Sequence, residues 1–131
     1  MRLLIDTHTF IWYSGDGSNL SSVARNLIAS DETDVVVSIV SLWEISIKVA
    51  LRRLDIEGGF ENLPAVLTKY DIETLPVSFE HTLVQSQFPF YHKDPFDRMI
   101  AAQAVFEKID LVSIDDIFDS YFVGSEVKRI W

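Results

Sequence analysis

A chain of 131 residues with 48% hydrophobic side chains, 5 glycines and 4 prolines has the composition of one globular domain spanning 1–131, and excludes a disordered polypeptide. The absence of cysteine excludes a disulfide framework, a thiolate metal site and a cysteine nucleophile, and fits a reducing cytoplasm. The net charge of -9, from 11 Lys and Arg against 20 Asp and Glu, excludes unaided electrostatic attraction to a phosphate backbone and favours basic partners.

In chain order, residues 3–5 form a short apolar run that reads as a strand ending at Asp6. Its early charge leaves no signal peptide, and the longest apolar stretch, 35–43, is interrupted by serines and ends at Glu44, so no membrane span is expected. A helical pattern over 21–29 leads to a β-branched strand at 35–37 and then a helix over 41–54. Gly58-Gly59 is a turn before a helix over 60–70. A weaker strand, 72–77, contains Pro76; helices follow over 79–87 and 95–108, then strands at 110–114 and 127–131. Strand alternates with helix throughout, the pattern of a parallel sheet with right-handed crossovers and helices on both faces. The class is α/β, a three-layer α/β/α sandwich.

In such a sheet, ligands bind outside the carboxyl ends of the strands. Asp6 ends the first strand, and Asp115 follows L-V-S-I. Glu44 lies in S-L-W-E, which reads as a capping box with Ser41 as N-cap, and Asp97 occupies the same relative place in D-P-F-D. Each acid has an ordinary structural explanation: Glu44 as a cap paired with Lys48, Asp97 as a first-turn acid, Asp115 as the cap of a short helix. Their apolar flanks nevertheless put all of them at the rim of the core. Two charges about 4 Å apart repel by roughly 4 kcal/mol at an effective dielectric near 20, so a cluster calls for a cation. With oxygen donors, the fitting ions are Mg2+ or Mn2+, which orient and acidify a water for attack on a phosphoester.

The segments L-L-I-D-T-H, S-L-W-E-I-S-I-K, D-P-F-D-R-M-I-A-A-Q-A and L-V-S-I-D-D-I-F, in this order, resemble the PIN-domain ribonucleases, and among them the VapC-like toxins of bacterial type II toxin-antitoxin systems. The resemblance runs over essentially the whole chain. It implies a metal-dependent endoribonuclease with Asp6, Glu44, Asp97 and Asp115 as the catalytic and metal-binding acids. It further implies that Thr7 supports the first aspartate, and that Ser113 stands where threonine is more usual. Asp116 and Asp119 compete with Asp115 for the last place, and Asp115 is favoured because it directly ends the strand. The resemblance also implies an RNA substrate, a homodimer, and an antitoxin whose tail covers the site with a basic side chain.

Other residues carry weaker signals. His8 reads as a core or surface histidine, while His92, just before the D-P-F-D turn, would either contact a phosphate or serve the local structure. Arg98 would either meet RNA or balance the acids. Lys48, Arg52 and Arg53 form a basic cluster that would contact RNA if it is not simply solvated. Trp43 reads as core. A phosphatase of haloacid-dehalogenase type shares the strand-end aspartate and late paired acids, but its second acid, two residues on, is here His8. A non-catalytic PIN-like binding module would be expected to have lost some of the acids.

Overall fold

Leu3, Leu4 and Ile5 are consecutive apolar residues, and because side chains alternate along a strand they demand cover on both faces of a sheet. The computed structural model, which describes residues 1–131, supplies that cover. The strands are β1 (Arg2–Ile5), β2 (Asp34–Ser38), β3 (Ile72–Leu75), β4 (Asp110–Val112) and β5 (Arg129–Ile130). They form one five-stranded sheet in the order β3-β2-β1-β4-β5, with every neighbouring pair parallel. The helices are α1 (Thr7–Ser14), α2 (Ser22–Ala29), α3 (Ile39–Ala50), α4 (Leu63–Lys69), α5 (Phe79–Gln87), α6 (Pro95–Glu107) and α7 (Phe118–Phe122).

The register explains the two cores. Leu4 lies opposite Val36 on one side and Leu111 on the other. All three point to one face, where they pack with Ile100, Ala101 and Ala104 of α6 and Phe118 and Phe122 of α7. Leu3, Ile5, Val35, Val37 and Val112 point to the opposite face and meet Phe10 of α1, Ala24 and Ile28 of α2, Ile45 of α3 and Leu63 of α4. Each fully buried Leu or Ile contributes about 1.5 to 3 kcal/mol of transfer free energy, so neither helix layer is dispensable. The three-layer expectation holds.

Several boundaries differ from the sequence reading, each for a local reason. The segment α1 goes unrecognised in the sequence, although Asp6 is its N-cap and accepts from Thr9 N–H. The helix expected over 41–54 begins instead at Ile39, because Ser38, the last residue of β2, accepts from Val40 N–H and caps it. The S-L-W-E capping box therefore does not form. The same helix stops at Ala50, and Arg52 takes a left-handed conformation with φ 57°. The segment 60–70 divides into a 3-10 turn (Phe60–Asn62) and α4, whereas α5 matches its expected bounds.

The order of strands also creates the cleft. The chain steps from β1 to β2 to β3 on one side, then returns to place β4 on the other side of β1. Connections leave β1 and β4 in opposite directions, and ligands of open parallel sheets bind at such a switch point.

Candidate active site

Asp6 leaves β1 at the switch point, and its two roles are compatible because a carboxylate has lone pairs to spare. Oδ1 accepts from Thr9 N–H at 2.9 Å, capping α1, and Oδ2 accepts from Ser113 Oγ at 2.6 Å. Ser113 follows β4 directly, so this bond ties the two strands that flank the cleft. Burial of Asp6 pushes its pKa up, while the hydrogen bonds from Ser113 and Thr9 pull in the other direction without overcoming it. Thr7, expected to support Asp6, donates instead to Ser41 Oγ at 2.8 Å and joins α1 to α3; the supporting threonine is Thr9. The signal available in the sequence was D-x-x-T at a helix start, which the strand-end reading of Asp6 obscured.

Glu44 is buried on α3, well inside the helix instead of in its first turn. Lys48, one turn on, takes Oε2 at 2.9 Å as expected. Oε1 is buried with no hydrogen-bond partner. An orphaned buried carboxylate oxygen is costly, and it marks a place where a bound group belongs.

Asp97 sits in the first turn of α6, but the cap is Asp94, whose Oδ1 accepts from Phe96 N–H at 2.8 Å. The carboxylate of Asp97 meets His92 Nε2 at 3.1 Å, and Asp115 Oδ2 reaches the same nitrogen at 3.3 Å. Burial, with the charges of Asp94, Asp6, Glu44 and Asp115, pushes the Asp97 pKa up to about 8. Asp6, Glu44, Asp97 and Asp115 thus act on one electrostatic neighbourhood at the carboxyl edge. Within it the donor atoms of His92, Asp97 and Asp115 lie within 4.8 Å of one another.

The late acids separate clearly. Asp115 is placed by its backbone N–H on Ser113 Oγ, three residues beyond the end of β4 and not at the strand end itself. Asp116 is exposed and outside the group, and Asp119 is engaged by Arg129 at 3.0 and 3.1 Å. Arg98 neither faces the cleft nor balances an acid. It is 3% exposed and donates to the carbonyls of Gln85, Phe88 and Pro89, with the Phe90 ring 4.0 Å from its guanidinium carbon. Trp43 is not core: it stands 61% exposed and packs edge-on against Phe96. His8 is exposed and packs at a tilt against Trp12, with ring centroids 5.6 Å apart.

The family model described as the PIN domain matches residues 3–122. The chain belongs to the PIN-domain family. Solved structures similar to this PIN domain include VapBC2 from Rickettsia felis bound to a DNA fragment from its promoter, with 16% identity, a TM-score of 0.74, and coverage of 99% of this chain and 98% of that one. A member of the VapBC family of toxin-antitoxin systems, VapBC-5 from Mycobacterium tuberculosis, is 20% identical with a TM-score of 0.63, covering 98% of this chain and 97% of that one. VapBC-1 from nontypeable Haemophilus influenzae is 14% identical with a TM-score of 0.62, covering 99% and 97%. A search of curated proteins finds no match. The PIN fold therefore agrees with the resemblance read from the motifs. No helix of the PIN domain is long and apolar enough to cross a membrane.

Proposed function

We propose that this PIN domain is a metal-dependent endoribonuclease and the toxin of a type II toxin-antitoxin pair. The observation that carries the reading is the convergence of Asp6, Glu44, Asp97 and Asp115, with Glu44 Oε1 buried and unpartnered among them. Burial first, and then the neighbouring acids, push the Asp97 carboxyl up to about 8, so a carboxylate charge there calls for a compensating positive charge. The donor set is oxygen-rich and free of sulfur, which fits Mg2+ or Mn2+. A divalent ion bound there would acidify a water and neutralise the charge that develops on a phosphoryl group under attack.

The residues of the chain do the rest. Thr9 and Ser113 fix Asp6, Lys48 holds Glu44 Oε2 and leaves Oε1 unpartnered, and Ser113 sets the backbone of Asp115. RNA is the substrate in this reading because the acids gather at the carboxyl edge of the sheet, with Lys48 of α3 beside Glu44 and the exposed Arg52 and Arg53 just beyond the end of that helix. The toxin role is supported by the fold shared with VapBC structures and by the net charge of -9, which suits an antitoxin carrying basic residues. Exposed Ile39, Trp43, Val77, Phe79 and Leu83 supply apolar surface of the kind that a homodimer or an antitoxin covers.

The test is cleavage of a mixed RNA pool by purified protein with Mg2+, Mn2+ or EDTA, beside the Asp6→Asn variant. Cutting that needs the ion and disappears in the variant is the expected result. No cutting of any RNA under any of these conditions would leave a non-catalytic binding module.

A further inference from the structure

The imidazole of His92 stands among the acids, and its hydrogen bonds define which nitrogen carries the proton. Nδ1 lies 3.1 Å from Asp94 N and accepts from that backbone N–H. A nitrogen that accepts has no proton of its own, so in the neutral ring the proton sits on Nε2. That Nε2–H points at Asp97 Oδ2 at 3.1 Å and at Asp115 Oδ2 at 3.3 Å. It is a donor there and has no lone pair to offer a metal. A ligating Nε2 would need the proton moved to Nδ1, which would then confront the Asp94 N–H, donor against donor.

The segment that carries His92 is also held from behind. Its backbone N–H donates to Tyr121 Oη at 2.8 Å. Arg98 reaches the same hydroxyl at 3.4 Å and grips the carbonyls of Phe88 at 3.3 Å and Pro89 at 2.8 Å. The strap between α5 and α6 is therefore anchored by two buried side chains, Tyr121 and Arg98, and the ring is delivered to one place.

Resting on the metal-site reading above, we propose that His92 is an internal stand-in for the cation: its Nε2–H bridges Asp97 and Asp115 and competes with a divalent ion for the same two oxygens. The bridge relieves the repulsion of the acids when no ion is bound. It also makes ion binding weaker than the acids alone would allow, because the imidazole must give up both contacts first. Divalent ion occupancy then becomes adjustable by anything that pulls the strap, including a substrate or a partner that contacts exposed Phe90 or Tyr91.

The experiment is Mn2+ titration followed by the electron paramagnetic resonance of free Mn2+, with thermal melts of the same samples. His92→Ala is expected to bind Mn2+ about tenfold more tightly than wild type, the scale of one hydrogen bond to a charged group. Without metal it should melt lower than wild type, and Mn2+ should raise its melting temperature by more. Tyr121→Phe, which frees the strap and keeps every acid and the imidazole, should move both readouts the same way by less, and it carries the test if His92→Ala does not fold. Pulsed measurements on the wild-type Mn2+ complex should show no directly bonded nitrogen. Unchanged or weaker Mn2+ binding in both variants, or a nitrogen coupling in wild type, overturns the stand-in role while leaving the metal site in place. Absence of Mn2+ binding from wild type and both variants removes the metal reading itself.

Discussion

Asp97→Asn separates a metal-site acid from a helix-capping acid through the sign of its effect on the metal-free protein. The carboxyl of Asp97 has its pKa raised from 3.8 to about 8, first by burial and then by Asp94, Asp6, Glu44 and Asp115. Between those two values the unfolded chain has released a proton that the native state still holds. Native stability therefore falls as pH rises through that window and levels off above about 8. At pH 7 the interval corresponds to an upper figure of about 4 kcal/mol at 1.36 kcal/mol per unit. With rearrangement of the strap and entry of water, the gain on removing the charge is on the order of 1 to 3 kcal/mol. Asparagine keeps the shape and can still accept from His92, so the metal-free variant should melt higher than wild type by roughly 5 to 10 °C. Its stability should also vary less between pH 5 and 8.5, while Mn2+ binding and RNA cleavage are lost. Chemical denaturation in EDTA at several pH values reads all of this. A variant less stable than wild type by about 0.3 to 1 kcal/mol, with activity retained in the folded fraction, would show that Asp97 merely complements the dipole of α6 and would sink the cluster argument.

Ser113→Ala removes the 2.6 Å donor to buried Asp6 and the acceptor for Asp115 N–H; a loss of about 1 to 3 kcal/mol in urea melts and weaker Mn2+ binding are expected, with Ser113→Thr restoring both. Arg98→Met strips a 3% exposed guanidinium from three carbonyls and should cost about 3 kcal/mol or more, whereas a change near zero would mean the strap holds without it. Lys48→Met leaves the buried Glu44 carboxylate without its 2.9 Å partner and should cost about 1 to 3 kcal/mol in metal-free urea melts, with Mn2+ restoring part of the loss; a change near zero would mean that Lys48 does not hold Glu44.

The alternation of short apolar strands with helices, and the placement of Asp6 directly after one of them, follow from the sequence alone because strand and helix periodicities are local properties. So does the chemistry open to the site, since a chain with no cysteine and an excess of acids can offer a metal only oxygen and imidazole. The same locality explains the errors. Ser41 matched a capping pattern, but β2 continues to Ser38, and the earlier serine takes the cap; which of two competent serines wins depends on where sheet pairing stops. Trp43 looks like core in one dimension, yet its neighbours on α3 turn inward and leave it on the surface. Arg98 adjoins an acid in sequence and serves carbonyls of another segment in space. The meeting of Asp115 with His92 while Asp119 is taken by Arg129, the bond from Ser113 to Asp6 across 107 positions, and the insertion of His92 between two carboxylates were decided only by tertiary structure. Each depends on β4 lying beside β1 and on the strap being pinned by Tyr121, long-range contacts that no local pattern of residues encodes.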